Sequence, residues 1–447
     1  MPTRLLVHVV WPALALASLL SSGCGGGGDS GTGTTSSGTG SGGGDPSAPC
    51  GAGVKVDITG CSTVIATSAD DTTTLQTALI NVKSSSTVCL CPGTFKINKQ
   101  LSLTVPSVTV KGAGATMEDT ILDFAGDTKG GNDTMLVTSD NFTIENLWVK
   151  NTPGNGVVVR QADKPTFRKL KVTWDAGSLA SNGAYSIYPA ECTNVLVEDC
   201  EVSGAADAAI YVGQSTGAII RRNKAHGSVL GIELENTTNG EAYDNEIYDN
   251  TGGLAVFLLA NLDKKDAMKN LLHDNNVHDN NRKNFGDKST FVSSVPQGSG
   301  ILVVGADDTE IRNNTIKNNQ SAGVVIVSYS LMSQLVPGAK TDPKIDPDPD
   351  RTFIHDNVYA NNGTDPQTPL DLIGVKPLED VVWDGIGKMA DPATNDAKFC
   401  LGTKAPYPSF RMFAGAHLND PDMGKALQSI DPKPYECDLP AIPSSAP

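Results

Sequence analysis

A chain of 447 residues with 50 acidic against 34 basic side chains carries a formal charge of −16. That balance argues against nucleic acid as a partner, because phosphate binding needs a net basic footprint, and it disfavours bare polyanions unless a metal or a local basic patch intervenes. Glycine is abundant (46 residues) while aromatics make up only 5% of the sequence, which suits a turn-rich β architecture better than helix packing.

The chain opens with Arg4 and an apolar run from Leu5 to Leu20. The run is too short for a comfortable membrane span and has the length of a signal-peptide core. Leu20-Ser-Ser-Gly-Cys24 resembles a bacterial lipobox, with Ser21 at the position usually held by leucine. The resemblance implies lipidation at Cys24, and a plain signal peptide cut nearby is the alternative. Residues 25–47 are almost wholly Gly, Ser and Thr, a flexible tether. The expected organisation is a signal segment over 1–24, a linker over 25–47, a solenoid over 48–390 and a Pro-rich tail over 391–447 packed on it. The expected address is outside the cytoplasm: an outer-membrane or cell-surface lipoprotein, otherwise periplasmic or secreted.

Eight cysteines remain after Cys24, and an even count in an exported chain reads as disulfides. Cys192 and Cys200 are close enough in sequence to pair locally. Cys400 and Cys437 can staple the tail, which leaves Cys50, Cys61, Cys89 and Cys91 to lock the N-terminal region.

From Thr72 to Lys83 the spacing of Leu75, Ala78, Leu79 and Val82 predicts a short helix, with Thr72 to Thr74 as candidate caps. Strands follow at Thr87–Cys91, Thr94–Ile97 and Leu101–Val105, and the alternation continues at Ser107–Gly112 and Thr120–Phe124. A helix before the first coil would cover an open solenoid end. The order helix, strand, Pro-Gly-Thr-Phe, strand resembles the start of the pectin-lyase-like right-handed β-helices.

The body repeats one phrase: an aliphatic residue, then a turn residue three positions later, then an inward-type residue two further on. Its turn positions are Leu147, Leu170, Cys200, Asn223, Asn245, Asn275, Asn314 and Asn357, spaced 23, 30, 23, 22, 30, 39 and 43 residues apart. A minimum near 22 with insertions is the repeat of a parallel β-helix. A second column, Asn250, Asn280, Asn319 and Asn362, lies five residues after the first. The expected role of these asparagines is to bond one coil to the next. Glycine-led strands such as Gly231-Ile-Glu-Leu234 complete each coil, and alternation sends Ile232 and Leu234 inward and Glu233 and Glu235 outward.

Insertions leave the coil at Asn261–Asn270, Arg282–Gln297 and Ser328–Arg351. The last carries Asp342, Asp346, Asp348 and Asp350, oxygen ligands that can hold Ca²⁺, although the spacing is not that of an EF-hand loop. Phe257, Leu302, Val304, Val325 and Val327 are outward and apolar, so the Ser328 excursion or the tail is expected to cover them.

The block Asn182-Gly-Ala-Tyr185-Ser-Ile-Tyr188-Pro189, Ala205-Ala-Asp207 to Ser215 and Gly231-Ile-Glu233-Leu-Glu235-Asn236 resembles a family of exported bacterial parallel β-helix repeat proteins, often lipoproteins, with no established activity. The chain departs from that family at Phe257-Leu258-Leu259, where an acid is usual. The resemblance implies an all-β fold, a right-handed parallel β-helix of pectin-lyase type with a capping helix and an irregular tail. Tyr185, Tyr188, Tyr211, Gln214, Glu233 and Glu235 fall on neighbouring coils and can share a face, bordered by Asp207, Arg160 and His226. Rings stack on pyranose faces and carboxylates bond hydroxyls, so the first expectation is a face that binds carbohydrate or envelope polymer. The alternative is a polysaccharide lyase, epimerase or hydrolase working through Glu233, Glu235, Asp207 and Tyr211, with Tyr185, Tyr188, Gln214, Arg160 and His226 holding substrate. A structural spacer is the third reading. The only membrane contact expected is through the lipid.

Overall fold

The computed structural model describes residues 48–51, 54–128, 133–336, 339–386, 395, 397–415 and 428–446. The signal segment, Cys24 and the linker lie outside them. No helix among the described residues is long and apolar enough to cross a membrane.

Every paired strand in the body is parallel to its neighbour one coil away. One sheet holds eleven strands, from Leu101–Leu103 through Leu230–Glu235 to Phe410–Met412, and a second holds nineteen. In most coils the nineteen-stranded sheet takes two short strands, such as Thr216–Arg221 and Lys224–His226, and the eleven-stranded sheet takes one. The corner between the two short strands is made by a single residue in the left-handed region: Arg222, Asp244, Asp274, Asn313 or Asp356, with φ between 53° and 54°. Asn and Asp tolerate this conformation better than most side chains. Each of these residues precedes a member of the first asparagine column.

The columns stack as expected. Asn223 Nδ2 donates to Asn245 Oδ1 at 3.0 Å, Asn245 to Asn275 at 2.9 Å, Asn275 to Asn314 at 3.0 Å and Asn314 to Asn357 at 3.0 Å. The second column runs Asn250 to Asn280 to Asn319 to Asn362 at 3.0, 3.2 and 3.2 Å. Glycine opens the next strand because the coils close tightly there: a Cβ on Gly253 would sit 2.5 Å from the Gly300 carbonyl oxygen. Inside, Ile232 pairs between Ile210 and Leu254, and Leu234 between Val212 and Val256, all fully buried.

At the N-terminal end α1 spans Asp71–Asn81, with Leu75 and Leu79 buried. Its cap is Asp70, whose side chain accepts from the Thr73 N–H, two positions before the first of the expected threonines. Disulfides Cys50–Cys91 and Cys61–Cys89 tie this region, and Cys400–Cys437 ties the C-terminal one. Three disulfides fit a chain folded in an oxidising compartment.

The expected Cys192–Cys200 bridge is a correction: both thiols are free and buried. Each Sγ is turned to carbonyls of its own corner, Cys192 to Val159 and Ala190, Cys200 to Phe167 and Glu198. Burial pushes them up to about 11 and about 12, so they are poor nucleophiles.

The parallel sheet also runs beyond residue 390. Phe410–Met412 pairs with Val381–Trp383, and Trp383 stacks on Phe399 at 4.7 Å. After Cys437 the chain crosses the outer side of the nineteen-stranded sheet. There the Ile442 N–H donates to Glu310 at 2.6 Å and the Ser445 N–H donates to Glu241 at 2.9 Å.

Candidate functional site

The outward face of the eleven-stranded sheet changes character along its length. Tyr188 and Tyr211 lie at its tyrosine end. Tyr211 then pairs with Glu233, Glu233 with Ala255 and Ala255 with Leu302, while the neighbouring column runs Gly213, Glu235, Phe257 and Val304. Aromatic and acidic side chains thus give way to apolar ones within a few coils.

The acids leave the sheet on the expected side but are not solvated. Glu233 is 4% exposed and Glu235 8%. Two insertions fold back beside them. Lys264 Nζ donates to the Ser215 carbonyl at 2.7 Å, and a Cβ on Gly286 would lie 3.3 Å from the Ala206 carbonyl oxygen. Tyr211 leans across Gly213, where a Cβ would meet its hydroxyl at 2.1 Å, and its Oη donates to Glu235 at 2.6 Å.

Tyr185, Tyr188 and Tyr211 form a cluster with ring centroids 4.4 to 4.9 Å apart. Tyr185 and Tyr188 are half-buried. Arg160 lies over the Tyr188 ring at 5.3 Å and near Asp133 at 3.6 Å.

Three carboxyls therefore share one poorly solvated place. Burial and the charge of Glu235 push Asp207 up to about 8. Burial pushes Glu235 up to about 7, against the pull of the Tyr211 hydrogen bond. Glu233 is raised well above the ordinary carboxyl range by burial, then by Asp207 and Glu235. Like charges this close resist ionising together. Asp207 Oδ1 and Glu233 Oε2 are shut from solvent without a hydrogen-bond partner among the described residues. Such atoms are costly and uncommon.

Six of the proposed residues are thus gathered: Tyr185, Tyr188, Asp207, Tyr211, Glu233 and Glu235, with Arg160 at the edge. Gln214 is engaged elsewhere, its Oε1 accepting the Asp263 N–H at 2.8 Å. His226 is a correction. It lies on the nineteen-stranded sheet, stacked on Tyr248 at 4.9 Å, among Glu201, Asp249, Lys171 and Arg282. The corner at Gly227 and Ser228 turns the chain between it and Glu233.

Two of the acids named as calcium candidates are engaged by other side chains. Asp342 accepts from Lys265 Nζ at 2.7 Å, and Asp348 accepts from Ser330 Oγ at 3.3 Å. No group of three or more His, Cys, Asp or Glu is arranged to hold a metal among the described residues.

Another acid, Glu198, is buried as well, and it pairs with Arg168, Arg221 and Arg222 at 2.6, 2.7 and 2.8 Å. The recurrence of Arg and Glu beside the turn positions reads in the sequence as a mixed-charge ladder on a solvent face, which gives the pairing but not the burial.

Residues 178–335 match the protein family described as "Right handed beta helix region". With the coil register above, this makes the protein a right-handed parallel β-helix. No curated protein matches its sequence.

Among solved structures the chain is similar to the A-module of the mannuronan C-5 epimerase AlgE6 of Azotobacter vinelandii. Identity there is 15%, over 67% of this chain and 87% of that one, with a TM-score of 0.35. It is also similar to a polygalacturonase from Erwinia carotovora ssp. carotovora (13% identity, 68% and 94% covered, TM-score 0.41). A third is DFA-IIIase from Arthrobacter chlorophenolicus A6 (10% identity, 70% and 86% covered, TM-score 0.42). At these identities and scores no residue role transfers.

Proposed function

We propose that the protein is an exported polysaccharide-binding β-helix, anchored by a lipid on Cys24 at the outer membrane or cell surface. Its binding face is the half-buried pair Tyr185 and Tyr188, with Arg160 at the rim and Asp207 beside it. The observation that carries this reading is the three-tyrosine cluster set beside the carboxyl of Asp207. The half-buried rings of Tyr185 and Tyr188 offer flat apolar surface to a pyranose, and Asp207, itself half-buried, stands beside them to bond its hydroxyls.

One observation favours the enzyme alternative. An acid raised to about 8 stays protonated at neutral pH and can protonate a leaving oxygen. A glycan array followed by product analysis on the retained glycan separates the readings. Retention weakened at least tenfold by Tyr188→Ala, with no product formed, is the expected result. New reducing ends or unsaturated uronate, abolished by Glu233→Gln, would replace the binding reading with the catalytic one. No retention of any glycan would leave the spacer.

A further inference from the structure

Four segments that leave the coils meet over the apolar end of the same sheet: the turn at Leu259–Asn261, the Arg282–Gln297 insertion, α2 (Tyr329–Leu335) with Val336, Ala339 and Lys340, and the stretch around Gln367–Leu372. They seal the apolar column Phe257, Leu302, Val304, Val325 and Val327, all buried. The excursion after Ser328 was expected there, and it is joined by the other insertions and by Phe413.

Between these segments lie two neighbouring spaces that share part of their lining. The inner one is a void of about 40 Å³ whose lining is apolar apart from Ser294. A void of that kind stays dry. The outer one is a cleft of about 850 Å³, and Phe291, Ser294, Val295, Met332, Leu335 and Pro369 line both.

The lining of the cleft carries three ammonium groups, Lys283, Lys288 and Lys340, and no acid among its described residues. The acids next to it are turned into other bonds, Asp287 to Ser289, Asp342 to Asn261 and Lys265, and Asp371 to Thr368. Leu372, 60% exposed, stands on its rim. Its aromatic rings are already engaged. Phe291 packs edge-on against Phe257 at 5.6 Å, and the Tyr329 hydroxyl donates to the Lys340 carbonyl at 2.9 Å. What remains for a ligand is aliphatic surface below and ammonium groups above.

We infer that this cleft binds a single-chain anionic amphiphile, such as a fatty carboxylate. The acyl chain enters between Val295, Met332 and Leu335 toward the inner void, and the lysines face the anionic head. Methionine and leucine side chains at the throat can shift rotamer to widen it, and a longer acyl chain takes more apolar surface from water and binds more tightly. A polysaccharide fits less well, since it would need a free ring to stack on. The cleft shares no residue with the tyrosine face, so the two proposals stand or fall separately.

Titration calorimetry of the full chain with monomeric dodecanoate tests this. The expected result is one site per chain, weakened by added salt, with decanoate binding several-fold more weakly. Lys283→Glu, Lys288→Glu and Lys340→Glu combined replace exposed side chains, so the fold survives and dodecanoate affinity falls at least tenfold. Val295→Trp, which fills the throat, is expected to weaken dodecanoate more than decanoate. Equal binding of dodecyltrimethylammonium would overturn the proposal by showing a sticky patch without charge selection. So would a galacturonate hexamer binding where dodecanoate does not, or an unchanged affinity in the triple lysine variant.

Discussion

The molecule buries two kinds of polar array, the asparagine columns at the corners and the carboxyls on the outward face of the eleven-stranded sheet. In the first, every amide is engaged. Asn275 donates to the Ala242 carbonyl at 2.8 Å and to Asn314, and accepts from both the N–H and the side chain of Asn245. In the second, Asp207 and Glu233 each keep an oxygen with no partner among the described residues. A buried polar group whose bonds are all made rigidifies its surroundings, and one whose bonds are missing costs stability where it lies. Depth alone therefore does not separate scaffold from site. Satisfaction separates these two arrays, but it does not by itself mark a site, since Thr251, Thr352 and Trp383 also hold buried atoms with no partner among the described residues.

The sharpest way to break this contrast is to remove a rung. Asn275→Ala orphans the buried Asn245 N–H and the Ala242 carbonyl and leaves a void between two coils. It is expected to cost roughly 3 kcal/mol or more, at about 1–3 kcal/mol for each unsatisfied group. Urea unfolding should show a large drop in midpoint, with broadening if the stacked coils uncouple. The exposed neighbour Asn361→Ala, whose side chain reaches Asn318 at 3.3 Å and whose backbone is left-handed at φ 56°, should cost only about 1 kcal/mol, mostly as backbone strain. Equal effects at the two positions would sink the idea that the ladder is what holds the corners.

The carboxyl cluster should show itself through pH. Unfolded, Asp207 and Glu235 ionise near 3.8 and 4.5; folded, they do so at about 8 and about 7. Between those limits the folded chain holds protons that the unfolded chain has released. Unfolding free energy therefore falls as pH rises, by up to about 1.4 kcal/mol per pH unit for each group. Asp384 and Asp307, raised to about 7 and about 6 by burial, add the same sign elsewhere. The informative comparison is thus wild type against Asp207→Asn with Glu235→Gln. The double variant should be the more stable at pH 8 and should lose part of the slope between pH 5 and 8. An unchanged slope would mean that these acids ionise normally.

The asparagine columns and their register were legible because they repeat. A bond that must be made in every coil leaves its residue type at a fixed offset in every coil. The direction of Glu233 and Glu235 was legible too, from alternation within a single strand. Their burial was not. It depends on Arg282–Gln297 and on Lys264 returning over residues some 50 to 80 positions earlier, and no local pattern encodes that return. His226 was misplaced for a related reason. Nearness in sequence to Glu233 suggested one site, but a corner in a β-helix turns consecutive strands onto different faces. Cys192 and Cys200 were expected to pair on spacing alone, whereas each thiol belongs to a different corner of the coil. The lysine-lined cleft draws on four separate insertions, so it becomes visible only once they are assembled.

Glu198 supplies the finest test, because it is an acid buried as deeply as Glu233 with the opposite solution. It is 4% exposed, and Arg168, Arg221 and Arg222 bond it. Despite the opposing effect of burial, those bonds hold it down at about 2. A depressed carboxyl stabilises the fold above its unfolded value of about 4.5 and loses that contribution as pH falls toward 2. The arginines are a quarter to two-fifths exposed, so solvent screening discounts the ion pairs. Glu198→Gln should therefore cost only about 1 kcal/mol at pH 7. That difference from wild type should shrink as pH drops below 4.5, the reverse of the slope expected at Asp207 and Glu235. If the two sites instead titrate with the same sign, then partners do not decide what a buried acid does in this protein, and the contrast between satisfied and unsatisfied groups fails with it.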